Sequence, residues 1–250
     1  MPRTPDLNRV VNGFQDSIDR ILATWRDQEA HRGVLGVSTV QAASSAALTS
    51  IATSWEQFRS DWHKKAIARD ATQYRIELVR RAKVSMEVSE PGRELVVALR
   101  DLGLDLEINL EKYPSLATVN RLRDVKDQNV SFRSKEESDR ASTRDLTPTL
   151  AARALALTFA DWQVLQVMIA TRNAIAHGSP RSMTALHSVL ALTARSGPAD
   201  LRGLGRVSRR VSPSGIGAYL CASIPWDGGR STRVLAIGGY VRDLGDKFRV

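Results

Sequence analysis

The chain has 250 residues, 36 lysines and arginines against 27 acidic side chains, and a formal net charge of +9. With 42% hydrophobic and 25% charged residues it has the composition of a folded protein with a sizeable core. No apolar run approaches the roughly 18 residues of a membrane span, and the single cysteine, Cys221, can form neither an internal disulfide nor a thiolate zinc site, which excludes membrane-spanning, disulfide-scaffold and zinc-finger classes. The opening MPRTPDLNRVV lacks the charged-then-apolar layout of a secretory signal, so the expected compartment is the cytoplasm.

The charge is unevenly placed. Residues 1–152 carry 23 basic and 22 acidic side chains, whereas 153–250 carry 13 and 5. Such a field favours a polyanionic partner, RNA or DNA, although an arginine-rich surface also serves solubility.

In chain order, Thr4 and Pro5 open an amphipathic helix whose apolar positions run Leu7, Val11, Phe14, Ile18 and Trp25, ending near His31. A long second helix is predicted from about Ser38 to Asp70, with a seam of Leu48, Ile51, Trp55, Phe58 and Trp62 at steps of three and four. Its Ala- and Ser-rich early part permits close helix packing. Tyr74 to Met86 fits either helix or strand. Pro91-Gly92 breaks the chain before a helical stretch from Arg93 to Leu102, and a short helix is expected over 116–125. Residues 127–145 are polar and mixed in charge, which predicts a surface loop.

Thr147-Pro148 restarts a helix whose apolar pattern carries on to His177, where Gly178 and Pro180 stop it. A further helix is expected from Ser182 to Arg195. Beyond it the character changes. Ile216, Ala218, Leu220, Ala222 and Ile224 alternate with other positions, residues 225–229 are turn-like, and 233–241 form a second candidate strand. The expected fold is therefore mainly α: an N-terminal helix (1–35) packed on a helical bundle (36–200), with a basic β-hairpin tail (201–250).

Metal ligands do not cluster, since His31, His63, His177 and His187 are scattered, and no P-loop, G-x-S-x-G or G-x-G-x-x-G motif occurs. One segment carries chemistry: Arg172-Asn173-Ala174-Ile175-Ala176-His177-Gly178, closing a strongly apolar helix. Asn173 and His177 are four residues apart and share a face. Arg172 and His177 are five apart, about 140° around the axis. A guanidinium beside an imidazole suits phosphodiester chemistry, the ring moving a proton while the cation balances phosphoryl charge. The same spacing also fits two side chains that cap carbonyls at a helix C-terminus.

RNAIAHG resembles the signature of the HEPN superfamily: Arg, a polar residue, a short gap, then His. The layout is similar to the RiboL-PSP-type branch, with an aromatic-acidic patch at Trp55-Glu56-Gln57-Phe58, a mid-chain element at 115–122 and the motif helix with Gly after His. The resemblance covers roughly residues 38–195. It implies a helical bundle and a metal-independent endoribonuclease that needs no cofactor and acts as a homodimer with two motif helices lining one cleft. Arg172 and His177 would be catalytic, and Asn173 would orient His177 or contact phosphate. The products would be a 2′,3′-cyclic phosphate and a 5′-hydroxyl. The resemblance further implies a toxin or antiviral effector with an antitoxin or defence partner, or alternatively a non-catalytic RNA-binding or protein-interaction module of such a complex.

Glu56 is a secondary candidate, either near the cleft or solvated on the outer face of its helix. Arg202, Arg206, Arg209 and Arg210 are the expected RNA-binding residues. Trp226 and Tyr240, interleaved with Arg230, Arg233 and Arg242, could stack bases, or Trp226 could serve as a core contact of the hairpin.

Overall fold

The computed structural model describes residues 4–102, 106–123, 132–197, 201–207, 210–224 and 231–250. Apolar seams form the helices that their spacing predicts. The first is α1 (Leu7–Ala30); a single turn, α2 (Arg32–Leu35), follows, and then the long α3 (Val37–Arg69). The ambiguous stretch is helical, α4 (Thr72–Glu87). Pro91-Gly92 does not precede the next helix but lies within the first turn of α5 (Glu90–Asp101), because Ser89 caps it by accepting the Gly92 N–H. The mid-chain helix is α6 (Leu116–Arg123). No single helix among the described residues is long and apolar enough to cross a membrane.

The stretch read as a surface loop instead contains a helix, α7 (Lys135–Asp145). Ser134 accepts the Glu137 N–H at 3.2 Å, and the Glu137 carboxylate takes the Arg133 N–H at 2.8 Å. Its inward face is polar: Ser138, Ala141, Ser142 and Asp145 are buried at helical spacing. The single helix expected from Thr147 to His177 is two, α8 (Pro148–Leu155) and α9 (Phe159–His177). Thr158 and Asp161 form a reciprocal capping box that starts α9 afresh. Ser179 caps α10 (Pro180–Ser196) in the same way.

Among the described residues the expected C-terminal β-hairpin is not formed. Ile216–Cys221 is a helix, α11, and Arg233–Leu244 is α12. A single bridge, Ser223 to Thr232, is the extended pairing among the described residues. The alternating pattern misleads because Gly217 and Gly238 serve close helix packing. A Cβ on Gly217 would stand 2.5 Å from the Gln41 carbonyl oxygen, and one on Gly238 2.5 Å from Leu22 Cδ2.

The backbone divides into two compact units. One comprises Asn8–Arg59 and Ala156–Arg249; the other is built on Ser60–Leu155, with the chain's first residues and Val250. In the first, α1 and the middle of α3 run antiparallel, since Phe14 stacks on Phe58 at 4.3 Å while Ser17 meets Ser54 and Leu22 lies near Gly238 with Ile51. Phe248 closes the aromatic cluster edge-on to Phe58 at 5.3 Å. Helices α9 and α10 pack as neighbours, and the Ser44 hydroxyl donates to the Gly217 carbonyl at 3.1 Å. In the second unit, Trp62, Ile67, Tyr74 and Leu146 are buried beside an ionic cluster. There His63 Nε2 lies 3.2 Å from the buried Asp145 carboxylate, which Arg144 and Arg81 also approach.

Candidate functional site

The RNAIAHG segment forms the last two turns of α9. Thr171 and Ala174 are buried, so the helix presents Arg172 and Asn173 half-exposed and His177 exposed. Gly178 ends it in the left-handed region, φ +54°, and its own N–H donates to the Ala174 carbonyl at 2.9 Å. That backbone bond does the capping. Among the described residues, neither the Arg172 nor the His177 side chain hydrogen-bonds a helix-end carbonyl.

Arg172 is instead held by side chains. Its Nη1 donates to Asn173 Oδ1 at 3.2 Å, and its Nη2 to Glu56 Oε2 at 3.4 Å. Arg172 and Glu56 are each about one-third exposed (34% and 35%), so the ion pair faces solvent and leaves guanidinium donors open to a ligand. The helix carrying Trp55 and Phe58 thus brings Glu56 to the motif across 116 residues of sequence. Asn173 bonds Arg172 rather than His177.

The expected RNA contacts divide. Arg202, Arg206 and Arg210 are exposed, and Arg209 lies outside the described residues. Arg202 Nε donates to the Gly197 carbonyl at 3.1 Å. Arg210 Nε donates to His187 Nδ1 at 2.9 Å, and His187 Nε2 meets the Val211 carbonyl at 2.8 Å. With Nδ1 turned to the Arg210 donor, Nε2 is placed to donate to the Val211 carbonyl. No feature of the sequence singles His187 out for this role. The segment beyond Arg210 then passes the end of α9, where Pro213 Cβ lies 3.9 Å from the place of a Cβ on Gly178.

Other proposed contacts serve the fold. The Tyr240 hydroxyl donates to Asp161 at 2.7 Å, and Lys247 Nζ reaches the same carboxylate at 2.6 Å. Burial raises the Asp161 pKa, but bonds from Lys247, Tyr240 and Thr158 outweigh it and hold the group below the usual carboxylate range. Arg233 is buried, its guanidinium spent on backbone carbonyls of Tyr219, Ala222, Gly203 and Arg206. Arg242 pairs with Asp19 and Asp243. Trp226 and Arg230 lie outside the described residues. Among the described residues no three His, Cys, Asp or Glu side chains gather as a metal site.

No protein-family model, curated protein or solved structure matches this chain.

Proposed function

We propose that the chain is a HEPN-type endoribonuclease whose active site is Arg172 and His177 at the end of α9. The observation that carries the reading is a guanidinium steadied by Glu56 and Asn173 on the same helix end as an exposed imidazole, with the Arg210–Pro213 segment beside it. In this reaction His177 takes the proton of the substrate's 2′-hydroxyl as its oxygen bonds to the adjacent phosphorus. Arg172 balances charge on the non-bridging oxygens. The P–O5′ bond breaks, the leaving oxygen takes a proton from water, His177 returns its proton to solvent, and a 2′,3′-cyclic phosphate and a 5′-hydroxyl remain. Glu56 and Asn173 act on Arg172 as positioning residues.

The test is purified protein with total RNA in the presence of EDTA. Arg172→Ala and His177→Ala should each abolish cleavage and leave the helical circular dichroism intact. If both variants cut as well as the unaltered protein, the site is misassigned. Salt-dependent binding without any product would instead make the chain an RNA-binding module, a reading favoured by the excess of basic residues over 153–250.

A further inference from the structure

Residues 202–207 and 210–213 lie along α10 from one end to the other, running against its direction. Arg202 Nε donates to the Gly197 carbonyl just past the C-terminal end of that helix. A Cβ on Gly205 would collide with the Leu190 carbonyl oxygen and the Ala194 nitrogen, within its last two turns. The His187 ring meets Arg210 and the Val211 carbonyl, and Pro213 reaches Gly178, just before the first turn. With seventeen residues α10 is about 25 Å long. Arg202, Arg206 and Arg210 are thus strung along it toward the end next to His177. Between Asp161 and Asp227 the sequence has seven arginines and one acid, Asp200, which lies outside the described residues.

Within this strip the His187–Arg210 contact depends on the proton content of the ring. A guanidinium only donates, so the 2.9 Å bond from Arg210 Nε needs a lone pair on His187 Nδ1 and is lost when the ring takes a second proton. The charged ring then sets an N–H and a positive charge against a permanent cation. Among the described residues nothing on the packed elements relieves that repulsion. One turn to either side on α10 are Met183, Thr184, Leu190 and Ala191, none of them ionisable. Of the elements packed along α10, α9 has Asp161 bonded to Lys247 and Tyr240, turns Arg172 to Glu56 and Asn173, and ends in His177, while the turn Arg202–Leu204 adds a cation rather than an acid. An anion supplies what the fold omits. A phosphate oxygen seated between the two groups accepts from the Arg210 Nη donors, which have no partner among the described residues, and from the Nδ1–H of the charged ring. We propose that His187 and Arg210 form a phosphate-binding subsite for an RNA strand, in which the imidazole takes up a proton as the phosphodiester enters. The inference rests on the reading of the chain as an RNA-binding protein, but not on cleavage. The ring lies about 10 Å along α10 from Pro180, so the subsite holds a phosphate to one side of the bond cleaved at His177.

The test uses a fluorescent oligoribonucleotide with every 2′-hydroxyl methylated, which binds but offers no nucleophile for cleavage. As pH falls from about 8 to about 5.5, the range in which imidazoles charge, its affinity for the unaltered protein should rise about tenfold, the worth of one charge-assisted hydrogen bond. The slope of log affinity against log salt should steepen by about 0.7 over the same interval. His187→Gln keeps an acceptor for Arg210 and a donor for Val211 but cannot charge. It should match the unaltered protein at the higher pH, keep its circular dichroism, and lose most of both gains. Calorimetry in two buffers of different ionisation heat should show proton uptake on binding by the unaltered protein, and less by His187→Gln. Equal pH gains in the two proteins, or binding without proton uptake, overturn the proposal and leave RNA binding standing. A gain shown with inorganic phosphate and not with the oligonucleotide makes the pair a free-phosphate site and overturns it as well. If the unaltered protein binds no oligonucleotide at either pH, the RNA reading itself falls and the proposal falls with it. Cleavage of unmodified RNA is scored apart, through Arg172 and His177.

Discussion

Gly217 and Gly239 sit in two short C-terminal helices and invite the same substitution with opposite outcomes. At Gly217 an added methyl would meet the Gln41 carbonyl oxygen at 2.5 Å and its carbon at 2.9 Å, both backbone atoms of α3 that cannot move alone. Replacing glycine by alanine inside a helix ordinarily gains about 0.5–1 kcal/mol, but overpacking costs roughly 1–3 kcal/mol. Gly217→Ala should therefore lower stability by about 1–2 kcal/mol in urea denaturation. Gly239 has nothing within 4 Å of the same position, so Gly239→Ala should raise stability by about 0.5–1 kcal/mol. Equal effects at the two sites would mean that the α3–α11 contact is not close. The buried Cys221 belongs to the same interface, its Sγ 3.7 Å from the Val40 carbonyl, and burial pushes its thiol pKa upward. Such glycines explain why the C-terminal stretch reads as strands. A glycine among small apolar residues weakens a helical pattern, and only a close partner, far away in sequence, shows that it belongs there.

Among the elements, α7 shows most clearly how a helix can hide from hydropathy. Its buried positions are Ser138, Ala141, Ser142 and Asp145, so a helical face exists but is not apolar. What secures it against α4 is charge. Arg80 donates to the buried Glu77 at 2.6 Å and Arg81 at 2.8 Å, while Arg81 and Arg144 reach both Glu77 and Asp145. The Arg80 bond, opposed by burial and joined by Arg81, brings the Glu77 pKa down to about 2 from 4.5. A carboxylate depressed on folding contributes stability that is present above the unfolded value and is lost as pH falls toward the folded one. Stability should thus decline between about pH 4.5 and 2. Glu77→Gln should cost roughly 1–2 kcal/mol at pH 7, discounted because the arginines face water, and should flatten that acid limb in a pH series of thermal unfolding. An unchanged limb would place the acid sensitivity elsewhere. By contrast α1, α3 and α10 are legible to within a few residues, because aromatic and aliphatic seams at helical spacing and the Gly178-Ser179-Pro180 boundary mark them directly. The motif at the end of α9 is legible for the same reason. Glu56 enters the sequence reading only as one of two alternatives, near the cleft or solvated, and its bond to Arg172 follows from no spacing rule, since the two are 116 residues apart.

At the scale of the whole molecule, charge can be sorted into what the fold consumes and what it leaves for a ligand. Of the cations beyond Leu201, Arg233 is buried on carbonyls, and Arg242, Lys247 and Arg249 are paired with acids. Arg202, Arg206 and Arg210 remain exposed, and the bonds of Arg202 and Arg210 go to a carbonyl and an imidazole rather than to a carboxylate. Under the proposed function a phosphate backbone would engage about three of these described cations, fewer than the net charge of the segment implies. For single-stranded RNA each neutralised phosphate contributes about −0.7 to the slope of log affinity against log salt. Replacing Arg202, Arg206 and Arg210 together with alanine should reduce that slope by about 2 and weaken binding to a similar degree across unrelated sequences. Arg242→Ala, which loses only its contacts with Asp19 and Asp243, should leave the slope unchanged. Fluorescence anisotropy of a labelled oligoribonucleotide over a range of potassium chloride reads both variants. A slope that falls equally in the two would mean that the field acts as a whole rather than through three placed arginines, and an unchanged slope in the triple variant would move the RNA-binding surface away from 202–210 altogether.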